Sequence, residues 1–349
     1  SLILVDKGFN LSPNYQTEKI INDASKLEKT VEEVLIAKQH GIANKLFILM
    51  SGEAEFTKDH NNELYKLATL KGTGVPLGVS GLNPPGRYMA DIYVKANSEY
   101  IEIDLDKLKE VENKDPLYAS FFYSYLVLQS MNLIWSSRNL NDCHLQSGLI
   151  ISEGVKTGGE IVNTKRIKDT AFLAFLNEQD LKKLLNYSSI KLFSANEYIT
   201  TEGQISDGIN ILLKGKVDAT FNSNKQGILE KNTRTIARSG VALSLSAGLH
   251  EIKSPYTIKA TRDTTIIKFS NEFIDNLIKK DPDLALKFLK RQLWQLGKYI
   301  QSSSGLTTYP AKDEAELFNF LLNDNSSRIP VNSKLYNIPH LLKNHLTQN

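Results

Sequence analysis

Three landmarks recur along this chain in one order and at nearly one spacing. An apolar run broken by a glycine, residues 46–56 about Gly52, comes again at residues 209–219 about Gly215, 163 positions on. The set Gly74, Val75, Leu77 and Ser80 returns as Gly240, Val241, Leu243 and Ser246, at a shift of 166. Lys114-Asp115-Pro116 returns as Lys280-Asp281-Pro282, again at 166. Repetition of this kind means one structural unit used twice. The length of 349 residues agrees, because a single hydrophobic core stops growing near ~250–300 residues.

Within each copy, short runs rich in Ile, Val, Tyr, Phe and Thr alternate with Gly, Asn and Asp, the pattern of antiparallel strands and tight turns. Residues 100–103 with their neighbour 91–94, and 256–260 with 264–269, are examples. One helix is expected after each β unit, over 116–136 and 282–302, with Pro116 and Pro282 in the first turn and Asp115 and Asp281 as caps. Another is expected before the second copy, capped by Asn177, with Glu178 and Asp180 in its first turn and an apolar side of Leu181, Leu184 and Leu185. The fold class is therefore α+β, mainly β: two tandem antiparallel β-rolls of jelly-roll type, each flanked by helices, with a small helical C-terminal tail. The expected boundaries are 1–140 for the first unit, 141–169 for a Ser-, Asn- and Gly-rich linker, 170–303 for the second unit and 304–349 for the tail.

This order of helix, β-roll with a strand–Gly–strand signature, Gly-rich loop and long helix resembles the cyclic nucleotide-binding domain, the sensor of catabolite activator proteins and of kinase regulatory subunits. The resemblance covers residues 15–140 and 170–303. It is clearest in the second copy, at Glu197-Tyr198-Ile199, Glu202-Gly203 and Ser206-Asp207-Gly208-Ile209 ahead of Gly215. In that family a short helix offers its free N–H groups to a cyclic phosphate, an arginine adds a fork of donors, and a glutamate after the cassette glycine takes the ribose hydroxyl. The resemblance places a cassette at Gly78, Val79, Ser80, Leu82 and Arg87, with Arg87 nine positions after Gly78. Val79 stands where the glutamate belongs, and Pro84-Pro85 shortens the loop by about one residue. In the second copy Ser244 and Leu245 replace the glycine and glutamate, Pro255-Tyr256 falls near the arginine position, and Lys253 is the nearby cation. The residues themselves leave three readings of Arg87: a structural arginine, a binder of phosphate or another small anion, or part of a site for cyclic AMP or cyclic GMP in the first unit.

Leu286, Leu289, Leu293, Leu296 and Ile300 recur at spacings of 3 and 4, a seam two heptads long. It serves either self-association or packing on its own β-roll. The first trailing helix, with Phe121, Phe122, Tyr125, Leu128, Met131 and Trp135, is apolar on more than one side, which predicts burial between the units. The tail holds two apolar stretches, 314–322 and 335–346, but four basic residues against four acidic ones. A DNA-reading helix needs an excess of Lys and Arg, so DNA binding is not favoured.

No nucleophile elbow and no phosphate loop occurs. The six histidines are scattered, Cys143 and His144 are adjacent, and the spacing of Asp104 and Asp106 suits a helix cap. No enzyme, catalytic residue or metal is expected. One cysteine rules out an intrachain disulfide and fits a cytoplasmic setting, and no apolar run is long enough to cross a bilayer. The expected function is a regulatory protein whose ligand binding is weak or lost and which acts through a protein partner or self-association. The alternatives are a transcription regulator of the catabolite-activator type and an oligomeric scaffold.

Overall fold

The computed structural model describes residues 4–6, 9–11, 15–60, 63–82, 86–137, 172–173, 176–205, 208–225, 228–237, 240, 242–244, 254 and 257–304. They fall into two compact units, one within 4–136 and the other within 172–304. The linker and the tail from residue 305 on, and with them the question of DNA binding, lie outside the described residues.

The first unit begins with a ribbon, β1 (Leu4–Asp6) and β2 (Phe9–Leu11), and a helix, α1 (Tyr15–Ala24). Eight strands follow: β3 (Ser25–Lys29), β4 (Val34–Ala37), β5 (Lys45–Ser51), β6 (Glu53–His60), β7 (Glu63–Lys71), β8 (Val75–Leu77), β9 (Asp91–Val94) and β10 (Glu99–Asp104). Two helices close it, α2 (Leu105–Lys114) and α3 (Pro116–Ser137). The second unit repeats the plan. After α4 (Glu178–Leu185) come β11 (Ser188–Phe193), β12 (Tyr198–Thr200), β13 (Gly208–Lys214), β14 (Val217–Lys225), β15 (Ile228–Ile236), β16 (Ala242–Ser244), β17 (Thr257–Ala260) and β18 (Thr264–Ser270), then α5 (Phe273–Lys280) and α6 (Pro282–Ser304).

The sheets run β3-β10-β5-β8 and β4-β9-β6-β7 in the first unit, and β11-β18-β13-β16 and β12-β17-β14-β15 in the second. Counted within each unit, both orders read 1-8-3-6 and 2-7-4-5, with every pairing antiparallel. The duplication is thus one of strand pairing as well as of sequence. The apolar runs 46–50 and 209–213 become the central strands β5 and β13 and are buried on both faces, which is why they do not alternate. Gly52 and Gly215 follow them at the corners where the chain crosses from one sheet to the other. Gly74 N donates to Leu49 O at 2.7 Å, and Gly240 N donates to Leu212 O at 2.6 Å, so the second landmark marks the same bond in each copy. The neighbours 91–94 and 100–103 do not pair with one another; β9 and β10 belong to different sheets.

Two helices, not one, follow each β-roll. The shorter ones were hidden because each runs into its successor at an Asp-Pro step. Proline disfavours helical backbone in the residue before it, and Asp115 (φ −142°, ψ 72°) and Asp281 (φ −150°, ψ 77°) turn the chain there. Each aspartate then caps the longer helix, accepting from Tyr118 N at 3.0 Å and from Leu284 N at 3.2 Å. Asn177 caps α4 through Asp180 N, and Asp104 caps α2 through Asp106 N and Lys107 N.

Every residue from Tyr118 to Leu128 of α3 is buried, as the apolar character on several of its sides requires. Within that stretch Ser120 and Ser124 donate to the carbonyls four residues back, and Tyr123 donates to Glu112 at 2.5 Å. In the second unit, Phe269 of β18, Phe273 of α5 and Phe288 of α6 form a ring cluster that Phe172 extends. No helix among the described residues is long and apolar enough to cross a membrane.

Candidate functional site

Strand β8 delivers the cassette. Gly78 turns the chain with φ +77°, and residues Val79–Leu82 make one turn of 3-10 helix closed by Gly81 N donating to Gly78 O at 3.0 Å. Asn83, Pro84 and Pro85 lie outside the described residues. The chain returns at Gly86 and runs alongside the loop 38–43. Ala43 N donates to Gly86 O, Tyr88 N to Gly41 O and His40 N to Tyr88 O, at 2.8, 3.1 and 2.8 Å. Arg87 lies in this pairing, bridged to Ile42.

The Arg87 side chain is exposed, and its Nη1 donates to the carbonyl of His40 at 2.6 Å. That bond uses one of the guanidinium's five donors. His40 holds left-handed backbone, φ 65°, which aims its carbonyl. The loop is fixed from beneath by Asp91, a buried carboxylate that accepts from Gln39 N at 2.6 Å and from Lys38 Nζ at 3.0 Å. The bond and the charge of Asp91 raise the Lys38 ammonium above its usual range. Gln39 ties the loop to Asp59 in both directions, accepting from its N and donating to its carbonyl.

Behind the cassette the space is filled. Tyr88 is buried; its hydroxyl donates to Lys45 O at 2.7 Å and accepts from Lys45 N at 3.2 Å. Burial pushes its phenol above the ordinary value. The ring lies 6.4 Å from that of Phe47 and faces Gly78, where a Cβ would stand 3.1 Å from it. A Cβ on Gly81 would fall 2.4 Å from the Ala43 Cβ, so the short helix is pressed against the loop by the lack of a side chain. Ser80 Oγ accepts from Met89 N at 3.3 Å. Val79 and Leu82 are half-buried.

Gly78, Val79, Ser80, Leu82 and Arg87 therefore share one loop and its return. The parts that a reading of the sequence did not find are His40, Asp91, Tyr88 and Gly81. Each matters through a partner dozens of residues away in sequence.

The second unit repeats the return pairing. Gly203 N donates to Ser254 O at 2.9 Å and Ser254 N to Gln204 O at 2.7 Å, as His40, Gly41 and Tyr88 do. Ser254 is therefore the counterpart of Tyr88, and the residue in the place of Arg87 is Lys253, 166 positions on, and not Pro255 or Tyr256. Lys253 itself lies outside the described residues. Of the seam on α6, Leu286, Leu289 and Leu293 are buried within the chain; the side chains of Leu296 and Ile300 lie outside the described residues. No cluster of metal-ligating side chains occurs among the described residues.

No family model matches the chain, and no curated protein matches it. Among solved structures, it is similar to the regulatory domain of Toxoplasma gondii PKA with cAMP, at 13% identity and a TM-score of 0.30 over 79% of this chain and 97% of that one. It is also similar to the regulatory subunit of a cAMP-independent protein kinase A from Trypanosoma cruzi bound to guanosine, at 15% identity and a TM-score of 0.28 over 78% and 93%. A cyclic nucleotide-binding domain from Methylobacillus flagellatus gives 18% identity and a TM-score of 0.34 over 47% and 83%.

Proposed function

We propose that this chain is a non-enzymatic regulatory protein of two cyclic-nucleotide-binding-like units, with nucleotide binding weak or lost, acting through protein contacts in the cytoplasm. The observation that carries this reading is the half-kept cassette of the first unit. The glycine turn, the short helix and Arg87 are present, which supports a residual affinity for a phosphate or other small anion. Val79 stands in the place of the carboxylate that would hold a ribose hydroxyl, and the Arg87 guanidinium is bonded to the His40 carbonyl. A hydrogen bond to a charged group contributes about 1.5–3 kcal/mol, so its loss weakens binding roughly tenfold to a hundredfold.

The test is a calorimetric titration with cyclic AMP, cyclic GMP and guanosine. The parent is expected to give no saturable heat below roughly millimolar ligand. Val79→Glu is expected to strengthen cyclic nucleotide binding by about tenfold to a hundredfold, and Arg87→Ala added to it to remove that gain. Micromolar binding by the parent that Arg87→Ala abolishes would make this a working nucleotide sensor and overturn the proposal.

A further inference from the structure

In both units the aspartate of the Asp-Pro elbow does a second job. While one oxygen caps the trailing helix, the other binds the helix that precedes the β-roll. Thr17 Oγ1 of α1 donates to Asp115 Oδ2 at 3.0 Å, and Lys183 Nζ of α4 donates to Asp281 Oδ2 at 2.8 Å, each pair 98 positions apart. The two joints occupy the same place in the repeat but differ in chemistry. Thr17 is fully buried and its bond is between a hydroxyl and a carboxylate. Lys183 and Asp281 form an ion pair at the surface, their side chains 48% and 25% exposed. A second ion pair crosses the same helices, Lys287 Nζ of α6 to Asp180 Oδ2 of α4 at 2.6 Å. The residue 166 positions before Lys287 is Phe121, which is buried.

Thus α4 carries an acid and a base that meet a base and an acid of the elbow and α6. The reciprocal pattern lies beside the apolar face of α4, where Leu181 and Leu184 are buried, and adds a charged contact to it. Each of the two pairs keeps its lysine side chain about half exposed, 48% for Lys183 and 52% for Lys287, and such pairs are weakened by salt and by competing charges, whereas the hydroxyl bond of the buried Thr17 is not. We propose that the joint of the second unit is a charge-released latch: α4 detaches from the α5–α6 elbow when its two crossed ion pairs are broken, while the corresponding joint of the first unit stays shut. This holds whether or not either unit binds a nucleotide.

Amide hydrogen exchange on the full chain tests it, using Asp180→Lys, Lys287→Asp and the double variant. These leave both elbow caps in place. Each single variant sets like charges against each other and is expected to speed exchange at 178–185 by about three- to tenfold at low salt. The double variant restores an ion pair of reversed sense and is expected to return exchange to the parent rate. The parent in about 0.5 M salt should approach the single variants, and exchange at 15–24 should be unchanged throughout. The latch is overturned if the single variants exchange like the parent or if the double variant stays as open as the singles. A rise of equal size in β13 and β18 would also overturn it, because the whole unit would then be opening.

Discussion

Gly215→Ala is expected to unfold the second unit under conditions where the parent is folded, while leaving the transition of the first unit in place. Gly215 has φ +114°, and a Cβ there would stand 2.6 Å from the Thr264 Cα and 2.7 Å from the Asp263 carbonyl oxygen. Both are backbone atoms, so no side-chain rotation relieves the clash. The neighbourhood is also tied down: Thr264 Oγ1 donates to Arg262 O at 2.7 Å and accepts from Lys216 N at 3.3 Å. Left-handed strain costs about 1–3 kcal/mol and overpacking a similar amount, together roughly 2–6 kcal/mol. That is comparable to half of a typical domain's stability of about 5–15 kcal/mol. Gly52 offers the matching experiment in the first unit, since its φ is +86° and a Cβ would meet the Ser98 Cα at 2.8 Å. The chain has two tryptophans, Trp135 and Trp294, one in the last helix of each unit, so variants with one tryptophan replaced by phenylalanine report each unit separately in urea. If Gly215→Ala and Gly52→Ala each shift only the transition of their own unit, the two corners are equivalent. If Gly215→Ala costs less than about 1 kcal/mol, the steric account of the corner is wrong.

What could be read from the sequence is what the backbone dictates locally. Gly52 and Gly215 are visible because only glycine suits those corners, and Asp115-Pro116 and Asp281-Pro282 because an Asp-Pro step both ends one helix and starts the next. The central strands are visible because a strand buried on both faces has no polar positions. What stayed hidden depends on partners far along the chain. Strands β9 and β10 are neighbours in sequence, yet they pair with strands of opposite sheets, and nothing in 91–104 encodes that choice. The partner of Arg87 is a main-chain carbonyl 47 positions away, which leaves no trace in residue type. Asp91 has the look of a turn residue but is the buried anchor of the loop opposite the cassette. In the second unit the loop differs in composition, and the bonds of Ser254 set the register that puts Lys253, the nearby cation, at the position of Arg87.

The α6 seam can be assigned by one substitution. Phe288 is fully buried, with ring centroids 4.8 Å from Phe273, 5.4 Å from Phe172 and 6.1 Å from Phe269, all near edge-on. It lies on the same helix as Leu286, Leu289 and Leu293, which are buried too, and the ring contacts of Phe288 are all with residues of its own unit. Removing a buried phenylalanine ring costs about 3–5 kcal/mol, and Phe288→Ala is expected to lower the stability of the second unit by that amount, with Phe288→Leu costing less. A helix that serves its own core gives a midpoint independent of protein concentration, since folding involves one chain. A helix held in place by a second copy gives a midpoint that rises with concentration, because association stabilises only the folded form. The expected result is a large, concentration-independent loss for Phe288→Ala against a concentration-independent parent. A parent whose midpoint climbs with concentration, together with a small effect of Phe288→Ala, would instead give the 3-and-4 spacing from Leu286 to Ile300 to pairing between copies.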